Sequence, residues 1–522
     1  MGSLVLSSKL GSSDGQACSY PVRRFGHRIL SDIPLEIYAE IFAYFEPPKS
    51  LAYSSRSNPI ARKRIQDLCS LSLVCRLFRL ETRHLIFTSV ALRPDVDEQA
   101  IAQARESKTY NSFYRTLHAI QIPPVLIPHI RQCIFPDWWD FFDTTRCENA
   151  KAFLNKRGEA LLQMTSLTSV TFFNTVLTSH ILMALRDIPN LKSLSVECCK
   201  ISSGMNLRVL MSRLKNLSSF KLLAQDETGA YLNTYEQLRG FVPLIPNLTE
   251  LYTDSNAILS YLISEGVFPR LQTLTFVRIC LTTWHAANLV RFLKQTPTLV
   301  SLTLDIDTGR MTDTISRLSL CDLPNLRHLS CPPHLVFWLI GTHNLSRLSF
   351  HSHFCKDDAS LSSILSASNL WANINHYGSI SELVIPLEFA FGIMSNSGAS
   401  PTVKALKKFT VFGGGLDYGE DEFLKEFEKF QDIFVAPFLM ELHFTQIKLI
   451  DFKSVESEGF VQKLVKLLNK GEYFPGLHYF SFHLIRKEEG LWNFMKECLK
   501  DGVEPKWSRI EQDEYSQWCD IE

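Results

Sequence analysis

Three short constellations in this chain hold residue types that can do chemistry. Gly11-Ser12-Ser13-Asp14-Gly15 fits G-x-S-x-G, the spacing that lifts a nucleophilic serine onto a tight turn between a strand and a helix. It stands in a polar tail with no strand pattern before it and no helix pattern after it, so it reads as a chance match. His351, His353 and Cys355 alternate, which sets two potential metal ligands on one strand face, but a zinc centre needs a fourth donor and none stands nearby. Gly413-Gly414-Gly415 follows an apolar run yet lacks the Lys and the helix opening that a phosphate cradle requires, so a tight turn is expected there. No G-x-x-x-x-G-K-[ST] and no H-E-x-x-H occurs. A non-catalytic chain is expected, with no metal and no cofactor.

The composition narrows the classes further. Over 522 residues, 54 Lys and Arg balance 54 Asp and Glu, and 45% of the chain is apolar. That balance supplies no basic surface for nucleic acid or an anionic membrane. The longest apolar run, Ile433 to Met440, holds Pro437 and falls far short of the roughly 20 residues that span a bilayer. Thirteen cysteines, an odd number without any C-x-x-C spacing, read as buried thiols of a reducing compartment. Neither a secretory leader pattern nor a lipidation motif is found: Leu6 stands where myristoylation needs Ser or Thr, and Cys519-Asp520-Ile521-Glu522 is a poor prenylation box. Cytoplasmic and/or nuclear localisation is the expectation. The sequons at Asn216, Asn247 and Asn344 then belong to a recurring Asn-Leu pattern and not to glycosylation.

The elements that carry these residues come from a repeat. The unit L-x-x-L-x-L, with other apolar residues allowed at each Leu, starts at Leu167, Leu191, Leu217, Leu271, Leu299, Leu345 and Leu439, and in weaker form at Leu248, Leu326, Ile380, Leu406 and Leu477. The mean period is about 28 residues, which belongs to solenoid arrays. Within x-L-x-L the two apolar positions share one face of a strand and the residue between them faces solvent. A Pro two residues before many starts, as at Pro189, Pro246, Pro269, Pro297, Pro324, Pro437 and Pro475, ends the preceding helix. Helical stripes follow the strands: Ala286, Leu289, Val290 and Leu293 recur at i, i+3, i+4 and i+7, as do Val461, Leu464, Val465 and Leu468. Each unit must stack on its neighbours to bury both faces. Twelve strands about 4.8 Å apart would make a surface about 55 Å long.

This array resembles the leucine-rich repeats of long, cytosolic type. The strand half fits well. Eight residues past the first Leu, where that family places Asn or Cys, only Cys199 and Asn256 comply, so an irregular horseshoe is implied, with parallel strands on its concave face and insertions near 351–379 and 451–474. Ordinary α/β layers of leucine-rich composition are the alternative.

Ahead of the repeats, Ile33-Pro34-Leu35-Glu36-Ile37, then Ile41-Phe42 and Phe45, are followed after an insertion by Leu71-Ser72-Leu73-Val74-Cys75-Arg76-Leu77-Phe78-Arg79 and Leu85-Ile86-Phe87. Asp32 or Ser31 would cap a helix with Pro34 in its first turn. Leu71, Val74, Cys75 and Phe78 recur at i, i+3, i+4 and i+7. So small a module cannot hide apolar residues on several faces by itself, and the surplus calls for a second polypeptide or for the first turn of the repeats. The two halves, over residues 28–90, resemble an F-box. That resemblance implies docking on a Skp-family adaptor, and through it a cullin, by Pro34, Leu35, Ile37, Ile41, Phe42, Val74, Cys75 and Phe78.

The fold class expected is therefore α/β: a small all-α F-box followed by an irregular leucine-rich-repeat solenoid. Residues 1–27 form a disordered tail, 28–90 the F-box with a loop inserted near 46–63, and 91–166 a helical connector and N-terminal cap. Residues 167–485 form the solenoid and 486–522 a C-terminal helical cap in which Leu491, Phe494, Met495 and Cys498 share a helix face. Thr88 to Leu92 alternates like a strand, and the aromatic group Phe135, Trp138, Trp139, Phe141 and Phe142 reads as packing. Substrate contact is expected at outward positions of the strands: Glu197, Asp254 and Asp305, with Glu250, make an acidic half, and His328, Arg347 and His351 a basic or His-rich half. The functional expectation is a substrate receptor of a cullin-based ubiquitin ligase. An F-box interaction scaffold without ligase activity and a mistaken α/β enzyme are the alternatives.

Overall fold

Wherever an apolar residue alternates with a polar one after a repeat start, the backbone is extended, and all twelve starts carry a strand. The computed structural model describes residues 59–74, 76–92, 126–136, 138, 154–155, 158–201, 214–224, 247–255, 258–260, 268–280, 289, 291–307, 323–332, 345–350, 379–392, 403–413, 417–450, 457–470, 474, 476–484, 490–497 and 506–510. It divides into two units, Met1–Ser193 and Leu194–Glu522. Among the described residues no helix is long and apolar enough to cross a membrane.

In the first unit, helices α1 (Pro59–Val74) and α2 (Arg76–Ile86) precede strands β1 (Ser89–Ala91), β2 (Gln132–Pro136) and β3 (Ser169–Phe173), which pair in parallel in that order. α1 begins at Pro59, so the last residues of the expected loop near 46–63 are already helical. Pro is suited to a first helical turn, where its missing N–H costs nothing. Strand β2 is a repeat strand that the sequence reading assigned to a helical connector: Ile130, Cys133 and Phe135 occupy its L-x-x-L-x-L positions and are buried. Phe135 stacks on Phe172 at 4.9 Å, and the Trp138 indole N–H donates to the Leu92 carbonyl at 2.8 Å, so both act in packing. Helix α3 (Ser179–Arg186) starts at Thr178, whose hydroxyl accepts the Ile181 N–H, and it buries Ile181, Leu182 and Leu185. The expected tail, first F-box half and segments around 97–106 and 111–117 lie outside the described residues.

The second unit continues the pattern. Strands β4 (Ser193–Glu197, from its second residue), β5 (Ser219–Leu223), β6 (Glu250–Thr253), β7 (Thr273–Cys280), β8 (Ser301–Asp307), β9 (His328–Cys331), β10 (Arg347–Phe350), β11 (Glu382–Pro386) and β12 (Lys408–Phe412) come first. A short β13 (Asp417–Gly419) precedes β14 (Glu441–Ile450) and β15 (Tyr479–Leu484). From β5 to β12, each strand pairs in parallel with the next; β12 then pairs with β14 and β14 with β15. The step between neighbours is the same each time. One carbonyl accepts two successive N–H groups from the next turn, as Thr249 does from Gln272 and Thr273, and Lys407 does from Met440 and Glu441.

Before many of these strands a β-turn is closed by the repeat Leu N–H, as from Leu271 to Phe268, Leu299 to Thr296, Leu326 to Leu323 and Leu439 to Ala436. Pro269, Pro297, Pro324 and Pro437 are therefore the second residues of these turns, where a fixed φ suits them, in addition to ending what precedes. The Asn-Leu pattern also has a structural use. Asn247 and Asn325 donate side-chain N–H groups to the Lys215 and Pro297 carbonyls of the preceding turn at 2.9 Å each. Gly476 permits the last such approach, since a Cβ there would lie 3.2 Å from the Leu439 carbonyl and 3.3 Å from that of Pro437.

Among the described residues, helices on the buried side include α4 (Leu387–Gly392), α5 (Glu420–Ile433) and α6 (Ser457–Lys470). Acids Glu420, Asp421 and Glu422 open α5, where they complement the helix dipole, and the Glu422 carboxylate accepts the Gly419 N–H. Phe423, Phe427 and Phe430 follow at i, i+4 and i+7 and are fully buried. Phe423 meets Phe444 at 5.7 Å and Phe482 at 5.4 Å, both edge to face, so aromatic contacts tie α5 to β14 and β15. α6 buries Leu464 and Leu468, as its stripe requires, while Val465 is half-buried.

The C-terminal helical cap is corrected. Residues Gly490–Glu497 form β16, antiparallel to β15, and Lys506–Ile510 form β17, antiparallel to β16. Leu491, Phe494 and Met495 suit a helix face and an aromatic strand equally, and the open edge of β15 settles the competition by offering a ladder of unpaired backbone groups.

Candidate recognition surface

Two surfaces are candidates, one in each unit. In the first unit, α1 buries Leu68 but leaves Leu73 77% and Val74 63% exposed. On α2, Phe78 is half-buried and its carbonyl accepts the hydroxyl of the fully buried Thr82. Leu73 and Val74 are therefore two aliphatic side chains that stand largely in water at the end of a helix. Of the residues expected to dock on an adaptor, Val74 is exposed and Phe78 partly so. Pro34, Leu35, Ile37, Ile41, Phe42 and Cys75 lie outside the described residues. Leu73, which the sequence reading passed over, is the more exposed of the pair; its place beside Val74 in the motif was the available signal.

The second surface is the open face of the parallel sheet. Register places Ser219, Glu250, Thr273, Ser301 and His328 in one outward row. Arg347, Glu382, Lys408, Glu441 and Tyr479 continue it. A second row runs beside it two residues further along each strand. It carries hydroxyls at Thr275, Thr303, Ser330 and Ser349, then Thr410, His443 and Ser481.

The expected split into an acidic and a basic half is not what this face carries. Asp254 is fully buried, and its carboxylate accepts the Ala224 N–H at 2.7 Å. It stands one residue past the end of β6, where alternation no longer governs direction. Asp305 is 9% exposed and sits where the register of β8 against β7 shifts between Leu304 and Ile306, an irregularity that re-aims a side chain. Its Oδ1 has no hydrogen-bond partner among the described residues. Glu197 is half-buried and neutralised by Lys221 at 3.0 Å, with the Ser195 hydroxyl donating at 2.7 Å. Lys221 also lies over the Tyr252 ring, 4.9 Å from its centroid. His328 and Arg347 are exposed, but Arg347 pairs with Glu382 at 3.4 Å, an ion pair in water that contributes little. His351 lies outside the described residues, with His353 and Cys355.

Charges on this face therefore alternate and neutralise each other, and the densest polar cluster lies further along than the sequence reading placed it. Lys408 Nζ is 2.7 Å from Glu441 Oε2, His443 Nε2 is 3.0 Å from the same oxygen, and His443 Nδ1 is 2.7 Å from Ser481 Oγ. The hydrogen bond from His443, then that of Lys408, hold the Glu441 carboxyl down to about 2 against partial burial that works the other way. Reading the outward positions of the weaker copies at Ile380, Leu406, Leu439 and Leu477 as well as the strong ones would have found Glu382, Lys408, Glu441, His443 and Ser481.

Serine, histidine and carboxylate in line have the connectivity of a hydrolase triad. The position argues otherwise. Ser481 is in the middle of β15, whose two edges are paired to β14 and β16, so the backbone amides around it are committed and leave no donor pair to hold an oxyanion. Ser481 is also only 6% exposed. Elsewhere, burial pushes the thiols of Cys133 and Cys331 far up, which makes them poor nucleophiles. Among the described residues no group of three or more His, Cys, Asp and Glu could hold a metal ion.

No family model matches this chain, and no curated protein matches it. Among solved structures it is similar to the Rad7 and Elc1 complex in yeast, at 13% identity and a TM-score of 0.32, over 76% of this chain and 96% of that one. It is also similar to a PEPR1-AtPEP1 crystal structure at 13% identity and a TM-score of 0.21, over 63% of this chain and 46% of that one. What the chain itself establishes is a mixed α/β protein whose parallel strands recur with the sequence repeat.

Proposed function

We propose that this chain is an F-box substrate-recognition subunit, which docks on a Skp-family adaptor through its N-terminal helices and presents a protein substrate to a cullin-based ubiquitin ligase. The reading rests on residues Ile33 to Phe45 and Leu71 to Phe87, which resemble the two halves of an F-box. The observation that carries it is the exposure of Leu73 and Val74 within the second half, 77% and 63%. The chain makes and breaks no covalent bond in this reading. It raises the effective concentration of the substrate's lysines near a loaded conjugating enzyme, by tethering alone. The open face of the second unit holds the substrate, and the protein works in the cytoplasm or nucleus.

Affinity purification of the full chain beside an Ile41→Ala, Phe78→Ala double variant, blotted for adaptor and cullin, tests it. Adaptor and cullin should both accompany the wild type and both be lost from the variant. Adaptor retained by the variant overturns the docking surface. Adaptor without cullin on the wild type removes the ligase and leaves an F-box scaffold.

A further inference from the structure

Many turns of the array are fastened to the turn before them by a polar side chain directly ahead of the repeat Leu, or of Ile380. Asn190, Asn247 and Asn325 donate amide N–H groups to the Thr165, Lys215 and Pro297 carbonyls at 3.0, 2.9 and 2.9 Å. Thr298 and Ser379 donate hydroxyls to the Leu271 and Leu345 carbonyls at 2.7 and 2.9 Å. The residue directly after the repeat Leu or Ile often does the same. There Thr168, Thr249, Ser346 and Ser381 donate hydroxyls to the Arg131, Ser218, Arg327 and Ser346 carbonyls. The turn ahead of β14 breaks both rules: its residues at these two places are Phe438 and Met440, whose side chains have no hydrogen to donate.

Phe438 is 64% exposed, and Val435 and Met440 in the same turn are exposed too, so neither a hydrogen bond nor burial accounts for these choices. A local rule broken without a gain in folding points to a functional use. Register aligns Lys408, Glu441 and Tyr479, which sets Phe438, three residues earlier, level with Ala405 on one side and Gly476 on the other. Both neighbours are small, so the ring stands clear between them. The three turns are joined through the backbone: the Met440 N–H donates to the Lys407 carbonyl at 2.8 Å, and the His478 N–H to the Met440 carbonyl at 3.0 Å. Their charge has one sign. Lys404 and Lys407 are exposed, and residues 403–407, 435–440 and 474–478 include no carboxylate. Glu441, directly after Met440, is already taken by Lys408 at 2.7 Å.

We propose that turns 403–407 and 435–440 form a docking surface for an acidic peptide segment of a partner protein, whose apolar side chain packs on Phe438 and Met440 while its carboxylates meet Lys404 and Lys407. Charge complementarity selects this occupant. A neutral apolar segment leaves two ammonium groups unmatched, a basic one is repelled, and a second copy docking by the same turns would bring four lysines together. The surface borders the open face at its strand-entry edge and needs no adaptor, so it stands apart from the proposed ligase role.

Fluorescence anisotropy of the full chain with a labelled dodecapeptide, a Leu-Trp pair flanked on both sides by Asp and Glu, tests it. The wild type should bind the peptide, and more weakly as salt rises. Phe438→Asn with Met440→Thr installs the side chains that other turns use for fastening. That variant should keep its thermal midpoint yet bind about tenfold more weakly. Lys404→Glu with Lys407→Glu keeps the test open should the first variant fold poorly: it should lose the acidic peptide and gain affinity for a counterpart with Lys in place of each acid. No binding by the wild type overturns the proposal, and so does binding at wild-type strength by either folded variant. A dimer in analytical ultracentrifugation that Phe438→Asn with Met440→Thr abolishes would give the surface to a second copy and overturn the peptide assignment.

Discussion

The Asp254 carboxylate accepts the backbone N–H of Ala224 at 2.7 Å, although thirty residues separate them in the chain. Ala224 follows one strand and Asp254 follows the next, so this bond fastens the end of one turn of the array to the end of its neighbour. Both residues are fully buried. Removing the acceptor strands a buried amide, so Asp254→Ala should destabilise the protein by about 2 kcal/mol, and Asp254→Asn, which keeps an acceptor, by less. Urea unfolding of the second unit, followed by circular dichroism, measures both.

The apolar end of α1 gives an opposite expectation. Leu73→Ser with Val74→Ser should leave thermal stability nearly unchanged, because both side chains already stand in water. The same pair should weaken adaptor binding by about 2 to 4 kcal/mol, the range of interface anchors. Calorimetric titration with a purified Skp-type adaptor separates the two effects; unchanged affinity would rule these side chains out as anchors.

Acid stability should depend on Glu441. Its folded-state carboxyl is held down to about 2 from an ordinary 4.5, chiefly by the hydrogen bond from His443 and then by Lys408. A lowered value means the unfolded chain binds the proton first, so the contribution is complete above about pH 4.5 and disappears as the pH falls toward 2. Glu441→Gln should therefore flatten the fall in stability across that window and leave it unaltered near pH 7 apart from a constant offset. Denaturant titrations at half-unit pH steps show whether the slope changes.

The phenylalanine cluster predicts a regional failure. Phe423 is fully buried and touches rings on α5, β14, β15 and α6 at once, including Phe460 at 6.1 Å and Phe427 at 6.2 Å. Phe423→Ala should cost about 3 to 5 kcal/mol. Because an array of repeats transmits stability mainly between neighbours, amide exchange should rise over 420–484 and much less over 219–307.

Much of the strand pattern could be read directly, because two-residue alternation behind a Leu depends on neighbours one and two positions away. Leu167-Val170-Phe172 and Leu302-Leu304 needed nothing distant to be recognised. Ile130-Cys133-Phe135 escaped because a thiol filled the middle position, and β16 escaped because Leu491, Phe494 and Met495 satisfy two periods at once. The directions of Asp254 and Asp305 depended on where a strand ends and where its register shifts, which are properties of the neighbouring turn. The cluster around His443 is equally non-local: Lys408, Glu441 and Ser481 come together only through register across three strands.

The reversal of chain direction at Gly490–Glu497 has a consequence for how such an array can grow. A further turn of the same kind would pair in parallel with the edge of β15, and among the described residues that edge is taken by β16, which runs the other way. The antiparallel strand thus stands against the series as a cover stands against the last page of a book: it satisfies the backbone groups of β15 that another parallel turn would otherwise use.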